Sequence, residues 1–465
     1  MDVADRLVDL LGAARVHTHP IDRLIYAKDS GIRSGDPAIV VLPETTEEVA
    51  AIMRIVTAEG LPVVARGAGT GLAGGAVPVA GSVLVVLTRM NEILEVDEIG
   101  RSAWVGPGVI NLDLSDALVS RNLHFAPDPS SQQSSTIGGN VGTNAGGPHC
   151  LAEGSTIAHI LGVEVVTVNG DVVILGGAAP DVPGYDLRGL IVGSEGTLGI
   201  VTRILVRLTE NQPDDVTMLI SFRDIADAAR TVSEIIGSGL VPAALEMMDG
   251  PMIEAVENFV HAGLPIGAAA VLLAEVVGHP DGTVTEADLI REIARANAAT
   301  EIRTATDDAE RELLWKGRKS AFGAVAQAAP DYYLNDTVVP RTRFVEVLDE
   351  IYAIAKHHDL RLLNVFHAGD GNFHPLISYD ASEPGMTDKV VAASHEMVQV
   401  AIAASGTLSG EHGIGLEKRD LMSSVFNADD LDAQARVREA FDPTDLLNPG
   451  KLLPEGSRCF DRPGT

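Results

Sequence analysis

Arg66-Gly67-Ala68-Gly69-Thr70-Gly71-Leu72-Ala73-Gly74-Gly75 is the stretch on which the fold assignment turns. It holds G-x-G-x-x-G at Gly69, Gly71 and Gly74, the spacing of a nicotinamide-binding turn. That fingerprint has to open a helix, because the diphosphate sits on the helix N-terminus. Here Ala76-Val77-Pro78-Val79-Ala80-Gly81 follows, and a strand begins at Val83. No crossover helix fits between them. The segment is therefore expected to be a long loop whose backbone N–H groups nest around a diphosphate.

Upstream, Ala38–Leu42 reads as a strand, and Pro43 to Glu48 supplies cap residues and acids. Val49, Ile52, Met53 and Val56 then recur at helical spacing, Gly60 stops the helix, and Pro62–Arg66 returns as a strand, giving β–α–β. Downstream, strands are expected at Val83–Leu87, Ile93–Asp97 and Ala103–Val105. A hairpin is expected from Ile160–Val168 and Val172–Leu175, joined at Asn169-Gly170, the signal of a type I′ turn. Two further glycine-rich segments lie in this half. Pro127-Asp128-Pro129-Ser130-Ser131 leads into Ser134–Gly147, and Val192–Val201 again interrupts apolar runs with glycines. Small hydroxyl and amide side chains among glycines allow close backbone approach to a large planar or phosphorylated ligand, and no lysine marks a Walker A loop. The polar, proline-containing stretch Glu210–Asp215 reads as a linker. Beyond it, strands at Thr217–Phe222 and Ala269–Val277 alternate with helices at Ile225–Ile236 and Glu286–Ala298, the pattern of an α+β domain on an antiparallel sheet.

A chain of 465 residues allows two or three domains, each with a full core. Lys and Arg total 34 against 65 Asp and Glu, a net charge of -31, which repels nucleic acid and anionic membrane surfaces. An anionic ligand accordingly needs local, directed donors. Aromatics are only 4%, so aliphatic and Ala-rich packing must fill the cores. Cys150 and Cys459 lie outside any C-x-x-C pattern, which disfavours a disulfide framework, an iron–sulfur cluster and covalent c-type haem. The N-terminus is acidic and lacks the basic region of a secretory signal. The longest apolar stretch, Leu264–Ala274, is too short to span a bilayer. A soluble cytoplasmic protein is the expectation.

The chemistry concentrates towards the C-terminus. His367-Ala-Gly-Asp-Gly-Asn-Phe-His374 sits between the strand-like runs Leu362–Phe366 and Phe373–Tyr379, so Ala368–Asn372 reads as a hairpin loop that sets two histidines beside each other. Gly410-Glu411-His412-Gly413 adds a carboxylate and a third imidazole. Two neutral imidazoles and one carboxylate with an open position make a catalytic divalent-metal site, for which zinc is the commonest occupant. In an extended segment Glu411 and His412 point to opposite sides, so that one ligates while the other faces substrate.

Taken in order, the Arg66–Gly75 loop, Pro127–Gly147, Gly193–Val201, His367–His374, Gly410–Gly415 and Asn448-Pro449-Gly450-Lys451 resemble one group of flavoproteins. This is the vanillyl-alcohol oxidase/p-cresol methylhydroxylase (PCMH) superfamily. Within it the chain is most similar to the FAD-linked 2-hydroxy-acid dehydrogenases, of the bacterial glycolate oxidase, D-lactate dehydrogenase and D-2-hydroxyglutarate dehydrogenase types. The resemblance runs from about Asp36 to Leu453. It implies an α+β chain. Residues 1–212 would form a PCMH-type FAD-binding domain of two α/β subdomains, 213–410 an α+β cap with an antiparallel sheet that binds substrate and metal, and 411–465 a segment returning to the FAD domain. It further implies that Arg66, Gly67, Ala68, Gly69, Thr70, Gly71 and Leu72 wrap the FAD diphosphate. Pro127, Thr136, Gly138, Asn140, Asn144, Glu195, Gly196, Ile200 and Asn448 would line the cofactor. His367, His374 and Glu411 match the metal ligands (zinc first, manganese or iron next), and His412 matches the catalytic base. Arg318, in Leu314-Trp315-Lys316-Gly317-Arg318, matches the partner of the substrate carboxylate.

The implied reaction oxidises a D-2-hydroxy acid to the 2-oxo acid, with His412 taking the hydroxyl proton and the α-hydrogen leaving as hydride to flavin N5. Where the hydroxyglutarate branch carries polar residues for a second carboxylate, this chain has Phe322, Leu334 and Leu376. A short monocarboxylate such as D-lactate or glycolate is expected, with D-2-hydroxyglutarate or malate as the alternative. Rivals from other classes are a nicotinamide dehydrogenase with a structural metal and a non-catalytic flavin subunit. Electrons would leave through oxygen, a quinone or a partner protein, the chain being a homodimer or a subunit of a redox complex. FAD is expected to be non-covalent: no cofactor loop offers Cys or Tyr, and His149 beside Cys150 is the one plausible attachment neighbourhood.

Overall fold

The computed structural model describes residues 2–179 and 183–454. Its contacts divide the chain into two compact units, one of residues 1–146, 155–211 and 411–465, the other of 147–154 and 212–410. The transfer of 147–154 to the second unit has no counterpart in the sequence reading.

In the first unit, Thr45 caps the helix Thr46–Ala58 by accepting from the Glu48 N–H at 3.2 Å. Its apolar face, Val49, Ile52, Met53 and Val56, is fully buried against the strands it connects. Those strands are not neighbours. Val83–Val86 lies between Ile39–Val41 and Val63–Arg66, pairing parallel with both, and Val16–His17 closes the other edge antiparallel. The free edge of Val63–Arg66 receives the returning C-terminal segment: Val63 N–H donates to Leu446 O and Asn448 N–H to Val63 O, each at 2.7 Å. A second, five-stranded antiparallel sheet runs Ile93–Asp97, Ser102–Val105, Ile200–Arg207, Ile160–Val166, Val172–Gly176. Its Asn169-Gly170 hairpin forms, but without the expected I′ turn, which needs positive φ at both residues. Gly170 has φ 77° and Asn169 is not left-handed. The Gly170 N–H closes on Thr167 O and the Thr167 N–H on Asp171 O, both at 2.9 Å, a longer loop that requires one left-handed glycine.

The second unit carries an eight-stranded sheet. Along its main path the order is Glu301–Thr304, Asp214–Phe222, Ala270–Gly278, Ala244–Asp249, Arg361–His367, Asn372–Tyr379, Asp331–Leu334, and every pairing is antiparallel. At the histidine hairpin Gly371 (φ 74°) is obligatory, because a Cβ there would lie 2.2 Å from Val339 O. One face of the hairpin buries Phe366 and Phe373 with Phe344. Alternation sends His367, Asn372 and His374 to the other face.

Glu275 fastens this unit. It is fully buried in Ala270–Gly278 and accepts from Thr217 on the paired strand, from Arg311 Nη2 at 2.7 Å and Trp315 Nε1 at 2.6 Å on one helix, with His149 Nε2 at 3.5 Å. His149 also packs against Trp315, the rings tilted by 31° with centroids 5.2 Å apart, which ties 147–154 into the unit. Burial pushes the Glu275 carboxyl up, but the bonds and charges of His149 and Arg311 outweigh it and hold the pKa at about 2. The folded value lies below the ordinary 4.5, so the stabilisation is present above pH 4.5 and is lost as pH falls towards 2. Its size is on the order of 3 kcal/mol. Urea unfolding should show a gap between wild type and Glu275→Gln at neutral pH that narrows at about pH 3; a gap independent of pH sinks this account.

Candidate active site

In the first unit the glycine loop runs from the end of strand Val63–Arg66 with no helix before Val83, which removes the Rossmann reading. The Arg66 side chain is buried beneath the loop. A Cβ on Gly69 (φ 77°) would meet the guanidinium at 1.9 Å, and one on Gly67 would meet Thr136 Oγ1 at 2.3 Å. Thr136 caps the turn into Ile137–Thr143 through the Gly139 N–H at 3.2 Å. Around this loop Arg66 Nη1, Ser135 Oγ and Asn140 Nδ2 are buried without a partner among the described residues. A protein interior rarely tolerates such orphans, and three of them beside a loop of backbone donors fit a polar, phosphorylated ligand. Asp29, which the sequence reading missed, shares this pocket: it accepts from Gly31 N–H at 2.9 Å, and burial raises its pKa against the opposing pull of that bond and of Arg66.

Other residues expected to line the cofactor have structural work. Asn144 Oδ1 accepts from Ser155 Oγ at 3.2 Å and Ile157 N–H at 2.8 Å. Pro127 O accepts from Asn111 Nδ2 at 2.9 Å. A Cβ on Gly138 would clash with Pro107, and Ile200 belongs to the apolar core. Asn448 Nδ2 bridges Gly75 O (2.9 Å) and Glu195 O (2.6 Å). Lys451, wholly buried, donates to Val77 O at 2.6 Å and to Asn448 Oδ1 at 2.8 Å, and burial lowers its pKa to about 8. Glu195 is raised to about 7 by burial, against the N–H bonds of Ile414 and Gly415. Gly196 (φ 72°) completes the turn.

The sheet face of the second unit gathers the histidines. His367 stands opposite Asn372 across the hairpin and opposite Glu246 on the other neighbouring strand, and His374 is two residues beyond Asn372. The two imidazoles are perpendicular with centroids 5.0 Å apart. His367 Nδ1 lies 2.9 Å from both Glu246 oxygens. A carboxylate only accepts, so Nδ1 carries the proton and Nε2 keeps its lone pair. Glu246 also pairs with Arg318, each 1% exposed, and Arg318 Nη2 is 3.4 Å from His367 Nδ1. Arg318 is thus no helix-surface cation, and its Nε has no partner among the described residues. Asp336, fully buried, accepts from Ser409 and from the Gly410 N–H at 3.0 Å and lies 4.0 Å from His374 Nδ1. Asn372 Oδ1 is a further buried acceptor with no partner among the described residues. Leu334 pairs with Leu376 across the strands on the face of His374, and Phe322 is half-buried on the helix Ala321–Ala328.

Glu246 and Asp336 were missed as site residues. The signal for Glu246 was available: a lone acid inside Ala244-Leu245-Glu246-Met247-Met248, a strand too apolar to hold an unpaired charge.

Glu411 follows Gly410 in the chain and, by its contacts, belongs to the first unit with His412. The expectation that they point apart is corrected: His412 Nε2 is 3.6 Å from Glu411 Oε1. The backbone there is bent, with Gly413 at φ 88° and Gly415 at φ 51°, so strand alternation does not apply.

Comparison with known proteins matches the FAD linked oxidases, C-terminal domain, over residues 211–452 and an FAD binding domain over 37–176. The glycolate oxidase subunit GlcD of Escherichia coli (strain K12) is 45% identical over 425 residues, 91% of this chain and 85% of that protein. The chain belongs to the FAD-linked oxidases. GlcD of Bacillus subtilis (strain 168) is 38% identical, covering 98% of both, and a D-lactate dehydrogenase of Anaerostipes hadrus is 32% identical, covering 90% of this chain and 89% of that one. In fold the chain is similar to p-cresol methylhydroxylase with substrate bound (TM-score 0.83, 18% identity, 97% and 96% covered). It is likewise similar to 4-ethylphenol oxidase from Gulosibacter chungangensis (TM-score 0.80, 20% identity, 98% of both covered). The FAD binding domain matched over 37–176 spans the stretch that holds the orphaned donors around Arg66.

The Glu246–Arg318 pair predicts a non-additive double-mutant cycle. Arg318→Met strands a buried carboxylate and should cost roughly 3–5 kcal/mol in unfolding free energy. Adding Glu246→Gln should recover a substantial part. Additive losses would show that the two charges do not depend on each other.

Proposed function

We propose that the chain oxidises a small D-2-hydroxy acid, of the D-lactate or glycolate type, to the 2-oxo acid, using FAD and a divalent cation held by His367, His374 and Glu411. The observation that carries this reading is the perpendicular imidazole pair on one sheet face, with Glu246 fixing the His367 tautomer that, in the neutral ring, puts the lone pair on Nε2. Asp336, 4.0 Å from His374 Nδ1, adds a buried carboxylate to the same face. Glu411 completes the set as the residue next to Gly410, whose N–H is fixed on Asp336. Nitrogen and carboxylate ligands suit zinc first, with manganese or iron as alternatives.

FAD, when bound, takes the two electrons of the oxidation, and the cation supplies the Lewis acidity that makes a substrate hydroxyl acidic. The remaining roles fall to side chains. His412 accepts the hydroxyl proton. Arg318 keeps Nη2 on Glu246 and offers Nε, a donor without a partner among the described residues, to the substrate carboxylate. Leu334 and Leu376 wall the face with apolar surface, where a second carboxylate would be buried unpaired at a cost of several kcal/mol. Arg343 and Lys319 do not relieve this: Arg343 pairs with Glu346 at 2.6 Å, and Lys319 lies over the Trp315 ring. His149 is held by Glu275 and Trp315, which supports a non-covalent flavin.

Two of the relatives are named as subunits, which supports a partner protein; a quinone is the other electron acceptor we propose. Among the described residues no helix is long and apolar enough to cross a membrane, in keeping with the cytoplasmic placement we propose.

Anaerobic mixing with a panel of D- and L-2-hydroxy acids should bleach the flavin fastest with D-lactate or glycolate. Preference for D-2-hydroxyglutarate or malate would refute the size argument. His367→Ala and Glu411→Gln should each lower bound metal, read by elemental analysis, and abolish turnover while leaving the flavin absorbance intact. Flavin loss with full metal retention would overturn the ligand assignment.

A further inference from the structure

We propose that Glu195 is a positioning residue: its carboxylate clamps the loop 413–415 and thereby fixes the segment that presents Glu411 and His412. The inference rests on the role assigned above to His412, and all its contacts lie within the first unit. Glu195 Oε1 accepts from the Ile414 N–H at 2.7 Å, and Oε2 accepts from the Gly415 N–H at 2.8 Å. Two successive backbone donors on one carboxylate define the path of the chain immediately after His412. The glycines on that path leave no alternative placement: a Cβ on Gly413 would meet Glu195 Oε1 at 2.7 Å, and one on Gly415 would meet Ala73 O at 2.0 Å.

The backbone of Glu195 argues for a purpose in the side chain. It sits at φ 53°, left-handed and unfavourable for a residue with a Cβ, between Gly193 and Gly196, which are also left-handed. A glycine would fill such a turn without strain, so the cost of glutamate is offset by what its carboxylate does. The conformation is held from both ends, by Glu195 N–H to Gly142 O at 2.8 Å and by Asn448 Nδ2 to Glu195 O at 2.6 Å. The far side of the loop is pinned as well, through Leu416 N–H to Ala73 O at 2.8 Å and Leu452 N–H to Gly415 O at 3.1 Å. Lys451 and Lys418 supply the neighbouring positive charge. The resemblance to flavoproteins assigns Glu195 to the cofactor lining. The geometry assigns its carboxylate to the loop.

Glu195→Gln tests this on the FAD-loaded protein, because an amide offers one acceptor and turns a donor towards the second N–H. Hydrogen exchange read by mass spectrometry should rise about tenfold or more across 411–416, as loss of a charge-assisted bond implies, with strand Ile200–Arg207 unchanged. Turnover per bound flavin should fall about tenfold or more with KM altered less than about threefold, since binding groups stay in place. Glu195→Asp keeps the charge but retracts it, and should show the same exchange pattern should the glutamine variant fail to fold. Unchanged exchange at 411–416, or loss of flavin with normal turnover per remaining flavin, would overturn the clamp. The exchange readout needs no substrate, so a wild-type enzyme inert to every 2-hydroxy acid would defeat the proposed reaction and leave this test standing.

Discussion

The carboxylate of Glu246 decides the arrangement of the histidine face. It is buried in the middle of a sheet and cannot remain there unpaired, because an uncompensated interior charge costs several kcal/mol. Arg318 answers it from a helix and His367 from the neighbouring strand. Each partner is thereby fixed. The guanidinium is immobilised with its Nε left over, and the imidazole is locked in one tautomer. Antiparallel register does the rest, since Glu246, His367 and Asn372 stand in one row across three strands and His374 is the next residue on that face. A slip of one residue in the hairpin would send both histidines into the phenylalanine cluster and bring Phe366 and Phe373 to the site.

The first unit solves a related problem with the opposite sign. A chain with net charge -31 works against any phosphorylated ligand at long range. In the proposed cofactor site the glycine loop would meet this with neutral backbone donors and one buried guanidinium, Arg66, whose burial itself lowers its pKa. Lys451 is nearby but is committed to carbonyls and to Asn448, so it serves as an internal fastener. The same economy governs Glu195, an acid satisfied mainly by backbone N–H groups. Both units therefore place their buried charges on structural duty and leave particular atoms uncommitted: Arg66 Nη1 and Asn140 Nδ2 in one, Arg318 Nε and Asn372 Oδ1 in the other.

Where periodicity and turn chemistry act locally, the sequence was legible. The helix Thr46–Ala58, the histidine hairpin and the absence of a helix after Gly75 are all read from spacing alone. What the sequence hid depends on partners far along the chain. Insertion of Val83–Val86 between the strands of the β–α–β unit is one case, and the capture of 147–154 by Glu275 and Trp315 another. Asn169-Gly170 shows a finer limit, because the dipeptide announces a turn but the strand register selects its type. Glu411 and His412 failed for a related reason. Alternation is a rule for extended backbone, and the glycines around that pair abolish it. Glu246 lay in plain view as an acid within an apolar strand, yet its partner is 72 residues away at Arg318, beyond the reach of pattern.

Charge accounting bears directly on substrate class. On the sheet face, Arg318 is already half-engaged by Glu246, and Asp336 places a second carboxylate beside His374. A bound divalent cation would offset the carboxylates of the proposed site, so that a substrate carboxylate depends on a directed donor. In the proposed reaction a monocarboxylate would take that donor, Arg318 Nε. A dicarboxylate would have to bury its second charge against Leu334 and Leu376, where the strand pairing offers two isobutyl groups and no donor. Discrimination of this kind does not need a built clash. It follows from leaving a charge without a partner, which separates substrates more sharply than the fit of an extra methylene.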